Sequence, residues 1–207
     1  MDDQRTVVHL LRHGEVYNPT RGIYGRLPGF HLSETGRAMA KSAAAWFDGH
    51  DVTALFSSPL ERARETAAPL AEHTGLEVVI DERLIEPWNH FEGMRFGVGD
   101  GSLRHLRHWP YLRNPFRPSW GEPYAAIAKR MLAAIARAKI EAHGHEAVCV
   151  SHQLPIEIAR RAQQQSRLWH RPDRRRCSLA SVTSFVFRGD RLVDVGYAEP
   201  AAQLLNR

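Results

Sequence analysis

Four short runs of apolar residues recur along the chain and give the first indication of its fold. They occupy residues 6–11, 53–57, 77–80 and 147–151. Apolar runs of this length, bounded by turn residues, are typical of strands buried inside a sheet. The pattern therefore predicts four buried strands that are well separated in the sequence.

Longer segments with helical signals lie between or after these runs, at residues 33–47, 60–73, 123–142 and 155–165. Ser33 stands where the N-cap of the first helix is expected, and Gly75 follows the second helix, where glycine commonly ends one. The runs 181–187 and 192–195 flank Gly189-Asp190 and predict a hairpin. Strands that alternate with helices predict an α/β fold with a mainly parallel sheet.

Residues 87–122 fit neither the helical nor the strand period. The segment contains several prolines and the tryptophans Trp88, Trp109 and Trp120. A loop this long is usually functional or disordered, and the aromatic content argues against disorder. We therefore expect a single domain over residues 1–207, with an insertion at about 87–122 that packs over the sheet edge as a lid.

Composition and charge narrow the classes of function. The 207 residues carry 28 lysines and arginines against 23 acidic residues, a net charge of +5, and only three of the basic residues are lysines. Arginine binds phosphate in a bidentate manner, so this excess suggests an anionic ligand, although nucleic acid is not required. No apolar stretch approaches 18 residues and no signal peptide is apparent, so we expect a cytoplasmic protein that does not bind membranes.

The cysteines and histidines give no sign of a metal site. Cys149 and Cys177 lie in no CxxC pattern, and a chain of this size needs no disulfide, so we expect both thiols to be reduced. The scattered histidines show no ligand spacing with cysteines or carboxylates. We expect no metal and no cofactor.

Chemically active side chains follow each of the four predicted parallel strands. Arg12 and His13 come after the first, Arg62 soon after the second, Glu86 after the third and His152 after the fourth. Active groups of parallel sheets cluster at the carboxyl ends of the strands. Two arginines and two histidines match the oxygens of a phosphoryl group, a neutral histidine can attack phosphorus, and a carboxylic acid can protonate the leaving oxygen.

These residues and their order resemble the histidine phosphatase superfamily, also called phosphoglycerate mutase-like. The resemblance covers roughly residues 6–155 and rests on Arg12-His13-Gly14-Glu15, Asn18, residues 32–36, residues 57–67, Leu84-Ile85-Glu86 and Val150-Ser151-His152. The short Arg-His-Gly motif alone is weak, whereas the same order of all the blocks is specific. The resemblance implies a three-layer α/β/α fold of the phosphoglycerate mutase type.

The resemblance also implies roles for the site residues. His13 would become phosphohistidine, with its other ring nitrogen donating to a backbone carbonyl, for which Gly14 is a guess. Arg12, Arg62 and His152 would hold the phosphoryl oxygens, and Glu86 would be the proton donor. Asn18, Gly25, Arg26 and Gln153 are candidates for substrate binding.

Three alternatives stay open at this point. Glu92 and Glu82 compete with Glu86 for the role of donor, because Pro87-Trp88-Asn89 departs from the family pattern. The basic run 171–176 is expected to be solvated surface rather than a nucleic-acid site. Arg26 is as easily a structural residue as a substrate contact.

The favoured function is hydrolysis of phosphomonoesters through phosphohistidine, with a small phosphorylated substrate whose identity is open. A 2,3-bisphosphoglycerate-dependent phosphoglycerate mutase is the second interpretation, but the basic residues expected after the donor are absent and Gln153-Leu154 replaces a Gly-Asn pair. A non-catalytic phosphate-binding domain is the third. A homodimer is compatible with such folds, whose exposed apolar edges often dimerise.

Overall fold

The structure is a computed structural model that describes residues 4–94 and 121–205. Within these residues six strands and four α-helices follow one another along the chain. They are β1 (Arg5–Arg12), α1 (Glu34–Trp46), β2 (Val52–Ser57), α2 (Glu61–Thr74), β3 (Val78–Ile80), α3 (Tyr124–Glu141), β4 (Glu146–Ser151), α4 (Gln153–Gln163), β5 (Val182–Arg188) and β6 (Arg191–Ala198).

The strands form a single sheet in the order β3-β2-β4-β1-β5-β6. The strands β3, β2, β4 and β1 are parallel to one another, β5 pairs antiparallel with β1, and β6 pairs antiparallel with β5 in the hairpin. The mainly parallel sheet and the terminal hairpin predicted from the sequence are therefore confirmed.

Successive side chains of the central strands point to opposite faces of the sheet, and apolar side chains lie on both faces. This is typical of sheets that helices cover on both sides. Leu10 and Cys149 face one core with α3 and α4, whereas Leu11 and Val150 face the other core with α1 and α2. The expected three-layer α/β/α arrangement is confirmed. Cys149 is buried and reduced, as predicted, and so is Cys177.

The ends of the helices follow their capping residues. Ser33 accepts a hydrogen bond from the Gly36 amide at 2.9 Å, which caps α1. Gly75 ends α2 with φ +71°, a left-handed conformation that glycine adopts without strain. The fourth helix begins at Gln153, two residues before the predicted start at Pro155.

No helix in the described ranges is long and apolar enough to cross a membrane. Most of the predicted lid, residues 95–120, lies outside those ranges. Its flanks meet where the backbones of Asn89 and Gly121 form an isolated antiparallel bridge.

Candidate active site

The carboxyl ends of the four parallel strands bring the predicted phosphate-binding residues together. Arg12, His13, Gly25, Glu86 and Gln153 line one cavity of about 320 Å³. Arg62 and His152 are both fully buried. The ring centres of His13 and His152 are 5.1 Å apart, so the two imidazoles form the centre of the site.

The orientation of His13 is fixed by the backbone. Its Nδ1 lies 2.7 Å from the carbonyl oxygen of Gly14, so Nδ1 carries the proton and donates it to this acceptor. The Gly14 carbonyl, which the sequence analysis named as a guess, is therefore the acceptor that the structure shows. Nε2 therefore carries the free lone pair. Burial, followed by the charges of Arg12 and Arg62, holds the pKa of His13 well below its usual value, so the ring is neutral at neutral pH.

The two arginines present buried donors without partners. Arg62 donates through Nη2 to the Gly25 carbonyl at 2.7 Å, and Arg12 donates through Nη1 to the Cys177 carbonyl at 2.6 Å. Nε and Nη1 of Arg62 and Nε of Arg12 are buried with no partner among the described residues. Burial lowers the pKa of Arg62. Unpartnered buried N–H groups are costly, and an anion between these arginines would satisfy them.

His152 faces both Ser58 and Glu86. Its Nε2 is hydrogen-bonded with Ser58 Oγ at 2.8 Å. Its Nδ1 is buried with no hydrogen-bond partner in the described ranges and lies 3.6 Å from Glu86 Oε2. Burial is also the main reason that the pKa of His152 lies well below its usual value, and His13 adds to it. The ring is a neutral donor or acceptor beside the carboxyl group.

Of the three candidate donors, Glu86 is the one in the cavity wall. Its side chain is 22% exposed, and burial raises the pKa of its carboxyl group despite the opposing charges of Arg62 and Arg12. Glu92 instead accepts a hydrogen bond from the Asn89 amide at 3.1 Å and is not part of this cavity wall. Glu82 lies exposed on a 3-10 turn.

The predicted substrate-binding residues divide into two groups. Gly25 and Gln153 line the cavity. Asn18 and Arg26 do not: Asn18 donates to the Gly22 carbonyl at 2.9 Å and shapes its own loop, and Arg26 donates to the backbone carbonyl of Glu86 at 2.6 Å. The structure thus gives Arg26 the alternative role of holding the Glu86 backbone.

Two supporting residues were missed by the sequence analysis, namely Ser58 beside His152 and Thr66 on α2. Thr66 Oγ1 accepts from the Gly14 amide at 3.1 Å and donates to the Arg62 carbonyl at 2.7 Å. Thr66 therefore connects the loop of the predicted nucleophile to the helix of the second arginine. Both residues stood in the quoted run 57–67, so only their individual roles escaped notice.

The same loop needs glycine for a close backbone approach. A Cβ atom on Gly14 would lie 2.5 Å from the carbonyl oxygen of Gly36, and a Cβ atom on Gly36 would lie 2.0 Å from that of Glu15. Both distances are well inside van der Waals contact. The loop after β1 thus packs directly on the first turn of α1, and this contact fixes the position of His13.

One expectation about charged residues needs correction. Within the basic run 171–176, Arg171, Arg174 and Arg176 are exposed as predicted, but Arg175 is not a solvated surface residue. It lies in the wall of a cavity beside Glu86. The contacts of Arg175, described below, explain why it turns inward.

A second correction concerns the histidines far from the site. Ligand atoms of His9, His50 and Glu146 all lie within 4.8 Å of one another, a spacing that could hold a metal ion. No local spacing indicates this cluster, because Glu146 is 137 residues from His9 and 96 residues from His50. The three side chains already satisfy one another: both imidazoles donate to Glu146 Oε2, at 2.9 and 2.7 Å.

The sequence of the chain is also similar to those of known proteins. The profile of the histidine phosphatase superfamily (branch 1) matches residues 8–199. The chain is 56% identical over 199 residues to uncharacterized protein Rv0525 of Mycobacterium tuberculosis, covering 96% of this chain and 98% of that one. It is 29% identical over 157 residues to phosphoserine phosphatase 1 of Hydrogenobacter thermophilus, covering 71% of each.

A solved structure shows the same fold. Phosphoserine phosphatase of Entamoeba histolytica, in its H9A mutant form with phosphoserine, superposes with a TM-score of 0.77 at 23% identity. The match covers 97% of this chain and 99% of that one.

Proposed function

The chain belongs to the histidine phosphatase superfamily (branch 1), and on that premise we propose that it hydrolyses phosphomonoesters through a phosphohistidine on His13. The observation that carries the proposal is the neutral, oriented imidazole beside three buried guanidinium nitrogens that have no partner among the described residues. A neutral Nε2 is a nucleophile, and the unpartnered donors suit the charge of a phosphoryl group.

The first chemical step transfers the phosphoryl group to the protein. Nε2 of His13 forms a bond to phosphorus, and the bond between phosphorus and the ester oxygen breaks. The protonated carboxyl group of Glu86 gives its proton to the departing oxygen, which leaves as an alcohol. The raised pKa of Glu86 supports this role, because a general acid must hold its proton near neutral pH.

The second step returns the protein to its starting form. The Glu86 carboxylate takes a proton from water as the water oxygen attacks phosphorus, and the bond to Nε2 of His13 breaks. Inorganic phosphate leaves, and Glu86 is again protonated. Arg12, Arg62 and His152 hold the phosphoryl oxygens through both steps, and because these donors are already in place, they need not reorganise during the reaction.

The proposal is tested by trapping the intermediate. After a short pulse with radiolabelled phosphomonoester and a rapid quench in alkali, we expect acid-labile label on the peptide that contains His13. We expect His13→Asn to abolish this label and to lower kcat by at least about 10³-fold, as removal of a nucleophile does in other enzymes.

His145→Asn is a suitable control, because this exposed histidine pairs with Asp51 near the amino-terminal end of β4, away from the site. It should keep both the label and the rate. Label on His152, label that survives in His13→Asn, or no turnover of any phosphomonoester would contradict the proposal.

A further inference from the structure

A second cavity, of about 160 Å³, adjoins the predicted phosphate site. The two cavities share the lining residues Glu86, Pro87 and Asn89. Glu86, the proposed proton donor, thus stands at the boundary between them. Because the donor must lie beside the ester oxygen, the part of the substrate beyond that oxygen extends toward the second cavity.

Arg175 lies in the wall of this second cavity and is held by two hydrogen bonds. Its Nε donates to His170 Nε2 at 3.0 Å, and its Nη1 donates to Gln153 Oε1 at 3.2 Å. His170 Nδ1 in turn donates to the Leu168 carbonyl at 2.8 Å, so Nε2 of this ring is the acceptor. The guanidinium is therefore fixed in place before any ligand arrives.

The remaining terminal nitrogen, Nη2, has no protein partner among the described residues. No carboxylate within residues 4–94 and 121–205 lies within 4.0 Å of the Arg175 guanidinium. Burial lowers the pKa of Arg175, which is the expected effect on a cation without an ion pair. Among the described residues, Arg175 therefore has one free, oriented donor and no carboxylate in direct ion-pair contact.

The other charges around the cavity do not cancel that of Arg175. Glu122 is neutralised by Arg130, whose Nε and Nη2 donate to its two oxygens at 2.8 and 3.0 Å. Under the proposed function Glu86 is protonated when substrate binds, and burial raises the pKa of its carboxyl group, which is the direction that this role requires. The cavity therefore presents a net positive charge to the leaving-group side of the substrate.

We propose that Arg175 binds a carboxylate on the leaving group, so that the natural substrates are phosphomonoesters of small hydroxy acids. This inference rests on the proposed function and names its substrate class. One free guanidinium nitrogen and a small cavity suit a singly charged carboxylate better than a second phosphate dianion. Such a contact adds a charged hydrogen bond that a neutral leaving group lacks.

Matched pairs of substrates test the proposal. Phosphoglycolate is compared with its amide, and 4-carboxyphenyl phosphate with 4-carbamoylphenyl phosphate, since each pair differs in charge but little in size. We expect wild-type protein to prefer the acid of at least one pair by about tenfold to a hundredfold in kcat/KM, the range for hydrogen bonds to charged groups. Arg175→Met should remove this preference, and Arg175→Lys should keep part of it.

Arg174→Met is the matched control, because it removes the same charge from an exposed neighbour in the same run. We expect it to leave the preference for the acid unchanged. The proposal is overturned if wild-type protein turns over both members of each pair equally well. Equal losses for acid and amide in Arg175→Met would also overturn it, since they would indicate a positioning role through Gln153.

Binding separates a failure of this inference from a failure of the proposed function. If no ester is turned over, the same acids and amides are titrated into wild-type and Arg175→Met protein by calorimetry. Tighter binding of an acid that is lost in Arg175→Met would support the carboxylate site without catalysis. Equal affinities in the two proteins would overturn the carboxylate site as well.

Discussion

At the residue scale, the central groups of the candidate site lie where the parallel strands end. Arg12 is the last residue of β1, and His13 and His152 directly follow β1 and β4, so their places in the sequence predict that they meet, as the structure shows. Arg175 could not be found in this way, because its neighbours in the run 171–176 have the same charge. Only the contacts with His170 and Gln153, which come from the tertiary fold, distinguish it from them.

The choice between Glu86 and Glu92 leads to a prediction about leaving groups. We expect Glu86→Gln to lower kcat about 10²–10⁴-fold with alkyl phosphates, whose leaving oxygen needs a proton, because this is the usual contribution of a general acid. With p-nitrophenyl phosphate the loss should be much smaller, since this leaving group needs little protonation. Steady-state rates over a series of leaving groups measure the difference.

Glu92→Gln is the matched control for this series. Its amide oxygen can still accept the hydrogen bond from the Asn89 amide, so the loop should keep its shape. Rates near those of the wild type are expected for all leaving groups. If Glu92→Gln showed the dependence on leaving group and Glu86→Gln did not, the donor would be misassigned.

At the element scale, periodicity and capping residues predicted the helices and strands to within a few residues. The predicted start of α4 at Pro155 is wrong by two residues, because proline is favoured throughout the first helical turn and here does not occupy its first position. Strand β6 extends to Ala198, three residues past its predicted end, where it remains paired with β5. Pairing between strands sets such an end: Val182 at the start of β5 pairs with Ala198, so β6 continues as far as its partner does.

The link between α2 and the loop after β1 can be broken by one substitution. Thr66→Val removes the hydroxyl group that accepts from the Gly14 amide, and so leaves this buried N–H without a partner. We expect the free energy of unfolding to fall by about 1–3 kcal/mol, the cost of an unsatisfied buried polar group. Urea denaturation measures this loss, and kcat should fall with it because Gly14 also orients His13.

Two variants of similar size control for this effect. Thr66→Ser keeps the hydroxyl group and should restore most of the activity. Thr74→Val changes another threonine of α2, whose hydroxyl group donates to the Leu70 carbonyl at 2.8 Å, far from the predicted nucleophile. An activity loss in Thr74→Val as large as that in Thr66→Val would show that the effect is general to the helix.

At the scale of the whole molecule, the fold class was predictable but the strand order was not. Alternating strands and helices indicate a mainly parallel sheet, yet many orders satisfy that pattern. The observed order places β1 between β4 and β5, and this brings His9 beside both Glu146 and Ser184. The cluster is therefore a product of topology, and no local motif could have revealed it.

This cluster predicts how stability depends on pH. Hydrogen bonds from His9, and then from His50, lower the pKa of Glu146 from 4.5 to about 2, and its side chain is only 11% exposed. Since the folded pKa lies below the unfolded one, the contribution of Glu146 is complete above pH 4.5 and is lost as the pH falls toward 2. The pKa of His9 is also lowered, mainly by burial. His9 therefore takes up a proton more readily in the unfolded chain, and below pH 6.5 this too lowers the stability of the fold as the pH falls.

We therefore expect Glu146→Gln to lower the free energy of unfolding by about 3 kcal/mol at pH 7, given that one pKa unit corresponds to about 1.4 kcal/mol. The difference between wild type and variant should shrink steadily between pH 4.5 and pH 3, as the wild-type protein loses the contribution of the ionised carboxylate. Urea denaturation at several pH values measures both curves.

Asp51→Asn, which removes an exposed carboxylate paired with His145, is the control and should shift stability little at any pH. A difference for Glu146→Gln that stays constant down to pH 3 would mean that the lost stability comes from packing rather than from the charge of Glu146.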